Sequence, residues 1–277
     1  MRALPATGEL CFSAMGTRVE LHRFGGGAAD ALAQAQRAIE MVDDALTIHR
    51  PSSTTALNEA LRSRQTATIT DPILLDALIR IDDARAATLE LFDPTIDARH
   101  TVGWEALRFD RQAATISCAD PIALDFGGFG KGYALDRAVL ALQEAGVGCA
   151  LLSAGESSIA VIGEHPLGGT WSFAIPDPRQ PEATLVELEL VDEALSISAT
   201  IGAGSAAPER AAMLRPSAPS PVTAPRTAIV VDRSGAMAEM LSTALIVADD
   251  AAALRLHDGA RRMRFDLTPA APTRIFV

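Results

Sequence analysis

Asp125-Phe126-Gly127-Gly128-Phe129-Gly130-Lys131-Gly132-Tyr133-Ala134-Leu135-Asp136 is the stretch that decides how the chain is read. A short apolar strand runs into four glycines within six residues, and an Ala/Leu-rich helix follows to about Ala145. Glycine lets a backbone approach a phosphate closely. The unpaired N–H groups of a helix start carry partial positive charge, so strand, glycines and helix together make an anion site. Glycines at a helix start also serve close packing. The block matches neither the GxGxxG fingerprint nor the P-loop, in which Ser or Thr follows the Lys.

Outward from this block, the chain before it is mostly helical. Glu9 to Phe24 alternates as a strand or hairpin, broken at Met15-Gly16-Thr17 and closed by Gly25-Gly26-Gly27. Leu32, Ala35, Ile39, Val42 and Leu46 recur three or four apart and predict a helix from Ala28 to Leu46. A turn at His49-Arg50-Pro51 leads into a short helix with Ser52, Ser53, Thr54 or Thr55 as its N-cap. Another helix is predicted from Pro72 to Leu91, capped by Thr70 or Asp71, then a loop to Leu107 and a strand from Ala114 to Cys118.

Beyond the block, short strands are predicted at Cys149 to Leu152, Ser158 to Ile162, Trp171 to Ile175, Thr184 to Val191 and Ala228 to Val231. A last helix covers Ala236 to Val247. Residues 202–225, rich in Ala, Ser and Pro, read as a long loop within a single domain over 1–277. The series predicts an α+β fold with mixed or antiparallel sheets flanked by helices.

A net charge of -11 without any Lys/Arg cluster argues against nucleic acid as a partner. A small anion can still bind, because a local nest of N–H groups or a metal ion overrides the global sign. Cys11, Cys118 and Cys149 are odd in number and widely spaced, and read as buried thiols. The chain carries no apolar run of signal-peptide or membrane-spanning length, so a cytoplasmic protein without a membrane partner is expected.

Several segments then fall in a particular order: Met15-Gly16-Thr17, Thr47 to Ser52 with Leu57-Asn58, Phe92-Asp93-Pro94-Thr95 with Trp104, the glycine block, Ser153 to Ser157, Trp171 with Ile175 to Pro178, and Ala238 to Ala244. From Met15 to about Asp249 this series resembles the ApbE family of flavin transferases. The resemblance implies a two-lobed, T-fold-like architecture with FAD in a cleft. It also implies Mg²⁺-dependent transfer of FMN from FAD to a Thr or Ser hydroxyl of an acceptor protein, with release of AMP. Flavin contacts are implied at Met15, Gly16 and Thr17, at His49 where the family usually has Tyr, at Leu91, Phe92 and Asp93, at Gly127, Lys131 and Tyr133, and at Leu214. The family's Mg²⁺ ligands correspond to the Gly130 carbonyl, Glu239 and Thr243. Spacing supports that pair independently, since i and i+4 share a helix face and can present two oxygens to a hard cation. The same spacing also suits a solvated helix-start acid and an internally packed Thr.

Three departures from the family matter, one of them Ile197-Ser198-Ala199 where the family has Thr-Ser-Gly. Glu239 replaces an Asp, and the extra methylene shifts the carboxylate by roughly 1.5 Å. The family's HHIIDPxTGxP stretch aligns with Ala211 to Pro221, so alanines stand for both histidines and Arg215 for the Asp. Histidine can accept a hydroxyl proton near neutral pH and alanine cannot, so no catalytic residue is assigned. His49 is the substitute candidate, either as a base or as a ring stacked on flavin. Arg215 either pairs with a phosphate or carboxylate, or is a solvated loop charge. FMN transfer is the expected function, and the alternatives are an FAD-binding protein without catalysis (a flavin reservoir or regulator) and a Mg²⁺-dependent FAD pyrophosphatase.

Overall fold

A computed structural model describes residues 7–96, 102–201, 213–216, 221–267 and 272–274. β1 (Gly8–Ala14) and β2 (Thr17–Arg23) form a hairpin turned at Met15 and Gly16, whose φ angles of 54° and 68° are left-handed. A helical lobe follows, built on α1 (Ala31–Leu46), α2 (Ser53–Arg62), α3 (Pro72–Ala84) and α4 (Gly130–Glu144). Short strands punctuate it: β3 (Ala67–Thr68), β4 (Thr95–Ile96), β5 (Leu107–Asp110), β6 (Thr115–Cys118) and β7 (Ala123–Leu124). The chain then returns through β8 (Ala150–Ala154) and β9 (Ser158–Ile162), the hairpin β10 (Trp171–Asp177) and β11 (Gln180–Leu190), then β12 (Ala194–Ala199) and β13 (Arg226–Asp232). α5 (Gly235–Val247), α6 (Asp250–Leu256), β14 (Arg262–Leu267) and β15 (Pro272–Arg274) complete it.

The main sheet has eight strands in the order β1-β2-β8-β9-β12-β13-β14-β15, and every neighbouring pair is antiparallel. Both faces are covered. Val19, Leu21, Leu152 and Ala160 pack into the core of α1 and α4, while Ala228 and Val230 pack against α5. On the other face Ile229, Val231, Met263 and Phe265 meet Trp171, Ile175, Leu188 and Leu190 of the β10–β11 hairpin. The continuous apolar run of β13 therefore serves two cores at once, as strands buried on both sides do.

Caps set the helix starts. Ser52 and Thr55 make a capping box on α2, and the Asp71 carboxylate accepts from the N–H groups of Ile73 and Leu74 with Pro72 in the first turn of α3. The expected helix to Leu91 stops at Ala84 instead. There the Thr88 hydroxyl donates to the Ala84 carbonyl, and Leu89 and Glu90 take left-handed φ of 53° and 58°. The stretches Leu107–Asp110, Ala194–Ala199 and Arg262–Leu267 are strands, and Asp250–Leu256 a helix, where the sequence reading placed no element. Of the three cysteines only Cys118 is buried. Cys11 lies on the exposed face of an edge strand, beside Arg18, and Cys149 is half-buried. No helix among the described residues is long and apolar enough to cross a membrane.

Candidate functional site

The helices α4 and α5 are locked in register at one point. A Cβ on Gly132 would lie 2.1 Å from the carbonyl oxygen of Gly235, so the two backbones touch directly. Four residues on, the Asp136 carboxylate accepts from Ser234 Oγ (2.8 Å), Gly235 N (2.6 Å) and Ala236 N (3.1 Å), capping α5 from α4. Burial pushes the Asp136 carboxyl up from the usual carboxylate range, against the pull of those donors. This junction fixes Lys131, on the first turn of α4, against Glu239 on α5.

Two cavities open beside the junction. The larger, about 350 Å³, is walled by Gly128, Ser196, Ser198, Met213, Glu239 and Thr243. The smaller, about 150 Å³, is walled by Met15, Gly16, Thr47, His49 and Gly130. Gly127 and Lys131 line both, so the two cavities adjoin at the glycine block as the two arms of a cleft. A separate cavity of about 380 Å³ lies between the starts of α2 and α3. The ionisable residue in its wall, Asp71, already caps α3 and accepts from Ser53 Oγ at 2.7 Å.

Where the arms adjoin, Lys131 Nζ lies 2.8 Å from Glu239 Oε1, and Ser158 Oγ donates to the same oxygen at 2.6 Å. The other oxygen, Oε2, is buried without a hydrogen-bond partner among the described residues. A row of serines backs the carboxylate. Ser242 Oγ sits 3.0 Å from Ser196 Oγ and 2.8 Å from Ser198 Oγ, and donates to the Glu239 carbonyl. The alternation Ser196-Ile197-Ser198 puts both strand serines on one face, the period-two signal by which these residues can be found in the sequence.

The structure thus gathers Met15, Gly16, His49, Gly127, Gly130, Lys131, Glu239 and Thr243 at the cleft. Gly130 lines the smaller cavity, and Glu239 and Thr243 line the larger one. Thr17 packs under Gly155, and Phe92 packs edge-on to Gly128, behind the cleft wall. Asp93 holds its own loop by accepting from Thr95 N and Trp104 N, and Leu91 packs beside the α5 core. Leu214 pairs with Pro221 in an isolated bridge, next to Met213 at the cleft. Arg215 is an exposed loop residue that also donates to the Val247 carbonyl at the end of α5. Ala211 and Ala212, the positions aligned with the family histidines, and His100 lie outside the described residues. Among the described residues His49 is the histidine that lines the cleft, whereas His22 faces Glu9, His165 meets Trp171 edge to face and His257 bonds the Arg262 carbonyl.

Tyr133 points the other way. It is 1% exposed, stacks on Phe129, and donates its hydroxyl to Asp76 Oδ2 on α3 at 2.6 Å. Burial pushes the Asp76 carboxyl up, but the Tyr133 and Arg80 donors outweigh it and hold the group below its ordinary value. Tyr133→Phe is expected to cost about 1–2 kcal/mol by removing a hydrogen bond to a charged acceptor. A depressed carboxyl stabilises the fold when ionised, so the deficit is full above about pH 4 and shrinks as pH falls through the folded value. Urea melts at pH 7 and pH 3 check this, and equal deficits at both would refute it.

Known proteins resemble this chain in sequence profile and in fold. The sequence profile described as the ApbE family matches residues 96–265. Similar solved structures include the ApbE protein of Thermotoga maritima (TM-score 0.81, 18% identity, covering 96% of each chain). The flavinyl transferase ApbE of Pseudomonas stutzeri, in its apo form, is similar at TM-score 0.81 and 20% identity, covering 99% of this chain and 96% of that one. The flavin transferase ApbE of Vibrio cholerae follows at TM-score 0.80 and 19% identity, covering 98% and 97%. No curated protein matches the chain significantly.

Proposed function

Because this chain belongs to the ApbE family, we propose that it binds FAD across the cleft and transfers the FMN half to a Thr or Ser hydroxyl of an acceptor protein, releasing AMP. The observation that carries this reading is the meeting of two cavities at Gly127 and Lys131. A dinucleotide needs a neutral pocket on one side of its pyrophosphate and a second space on the other.

In this reading the flavin ring enters the smaller cavity between Met15-Gly16 and the His49 imidazole. The pyrophosphate crosses the glycine block, where a missing side chain at Gly127 leaves room for it, and Lys131 faces it. The rest of the dinucleotide extends toward Ser198 and Met213. An acceptor hydroxyl attacks the FMN-side phosphorus, the bond to the bridging oxygen breaks, and AMP leaves. Positioning and charge supply most of the catalysis in such transfers, and with His49 against the flavin ring the hydroxyl proton passes to solvent.

The donor set fits a hard cation. The unpartnered Glu239 Oε2 and the Thr243 hydroxyl, one helical turn apart, give two oxygens, and Mg²⁺ commonly takes few protein ligands beside substrate phosphates and water. When bound, Mg²⁺ would neutralise charge growing on the pyrophosphate oxygens.

A second reading, FAD binding without transfer, is favoured by the alanines at 211 and 212. Incubation with FAD, Mg²⁺ and a candidate acceptor separates the possibilities. Covalent flavin on the acceptor supports transfer, bound but intact FAD supports the second reading, and free FMN with AMP indicates a pyrophosphatase. FAD is expected to bind more tightly than FMN in a fluorescence titration, and equal affinity would sink the dinucleotide assignment.

A further inference from the structure

Lys131 is the only lysine in the chain; every other cationic side chain of that length is an arginine. Among the described residues it is also the only Lys or Arg lining either cavity of the cleft. Its ammonium is held at 2.8 Å by a carboxylate that is itself 3% exposed, while its own side chain keeps 24% exposure toward the opening. A lysine differs from an arginine in being a compact point charge with three rotatable donors. One of these meets Glu239 Oε1, which leaves two to face the cleft.

Glu239 is built as a two-sided anchor. Oε1 takes Lys131 and Ser158, and Oε2 stays buried with no partner among the described residues. A carboxylate shorter by one methylene would draw back by roughly 1.5 Å and loosen its hold on the ammonium. The residue that departs from the family's Asp is thus the one that fixes the lysine.

Resting on the FAD reading above, we propose that Lys131 is the resident counter-charge of the cleft. Held by Glu239, it meets the pyrophosphate of the dinucleotide directly, so FAD binds without a metal ion. A divalent cation at the second Glu239 oxygen then adds to binding instead of being required for it.

Flavin fluorescence titrations of the whole protein test this, with FAD and riboflavin as probes, each in EDTA and in Mg²⁺. The native protein is expected to bind FAD in EDTA. Lys131→Met is expected to weaken FAD in EDTA by about 10- to 100-fold, the worth of a hydrogen bond to a charged group, and to leave riboflavin within about twofold. Glu239→Asp, which loosens the ammonium, moves FAD in the same direction by less. Because the chain has one lysine, an amine-selective acylating reagent marks Lys131 and the N-terminus alone, and peptide mapping should find Lys131 protected by FAD in EDTA and unprotected by riboflavin. Removing one member of a buried pair can impair folding, so Lys131→Met/Glu239→Gln, which removes both charges, serves as the second variant with the same expected loss.

The outcomes separate cleanly. FAD binding that appears only with Mg²⁺, or that survives Lys131→Met unchanged in EDTA, overturns the proposal and leaves the FAD reading standing. A parallel loss of riboflavin would mean that Lys131 merely supports the fold, which also overturns it. A native protein that binds FAD in neither condition removes the FAD reading, and this proposal with it.

Discussion

Gly127→Val is expected to lower FAD affinity at least about hundredfold, equivalent to about 3 kcal/mol, while melting within about 2 °C of the native protein. Both halves of this expectation come from the same geometry. A Cβ at Gly127 would find only the Asp125 carboxylate near it, at 3.3 Å, and Gly127 is not among the glycines with positive φ. The fold therefore tolerates a side chain there. What a side chain would fill is the place where the two cavities adjoin, so a ligand that spans both loses its passage. Fluorescence titration beside a thermal melt checks the pair of claims. Native affinity in a folded variant would show that no ligand spans the two arms, whereas a large drop in melting temperature would mean that the glycine is there for packing.

Gly132→Ala should act in the opposite sense, on stability first. Its Cβ would stand 2.1 Å from Gly235 O, 2.3 Å from Gly235 C and 2.8 Å from Ala236 N, all backbone atoms that cannot rotate aside. The helices α4 and α5 must separate, and the three hydrogen bonds by which Asp136 caps α5 stretch with them. Overpacking together with a weakened cap costs about 3–5 kcal/mol, or roughly 10 °C in melting temperature. Calorimetry decides it. A variant that melts like the native protein would mean that the contact gives way easily and does not set the helix register.

These two glycines belong to one motif, and the motif was the most legible part of the sequence. Strand, glycines and helix follow in the order read, and the i, i+4 spacing of Glu239 and Thr243 places both on one wall of the larger cavity. Local rules suffice for such features, because cap, period and turn are properties of neighbouring residues. The pairing of Lys131 with Glu239 is different: it joins residues on two helices whose register depends on Gly132 meeting Gly235, and no local pattern encodes it. Tyr133 illustrates the converse. Placed at the flavin by resemblance, it turns from the cleft toward Asp76, because a residue two along a helix from Lys131 points to another side. β14 carries a readable alternation of Met263, Phe265 and Leu267, yet Arg264 between them is only 2% exposed. Its guanidinium reaches the carbonyls of Ala248 and Asp249 past the end of α5, so the polar face of that strand is not a solvent face.

The order of strands in the main sheet also sets a timetable for synthesis. β2 pairs with β8, and roughly 125 residues, the whole helical lobe, lie between them in the chain. A ribosome adding ~5–20 residues per second needs roughly 6–25 s to deliver the partner strand. Until then the β1–β2 hairpin, marginal by itself, waits with one side of β2 open to any passing strand. Arg18, Glu20, His22 and Arg23 alternate along that strand with Val19 and Leu21. In the finished protein Arg18 is exposed and Glu20, His22 and Arg23 are half-buried; in the nascent chain, charge along an open strand disfavours pairing with a neighbour on the next ribosome.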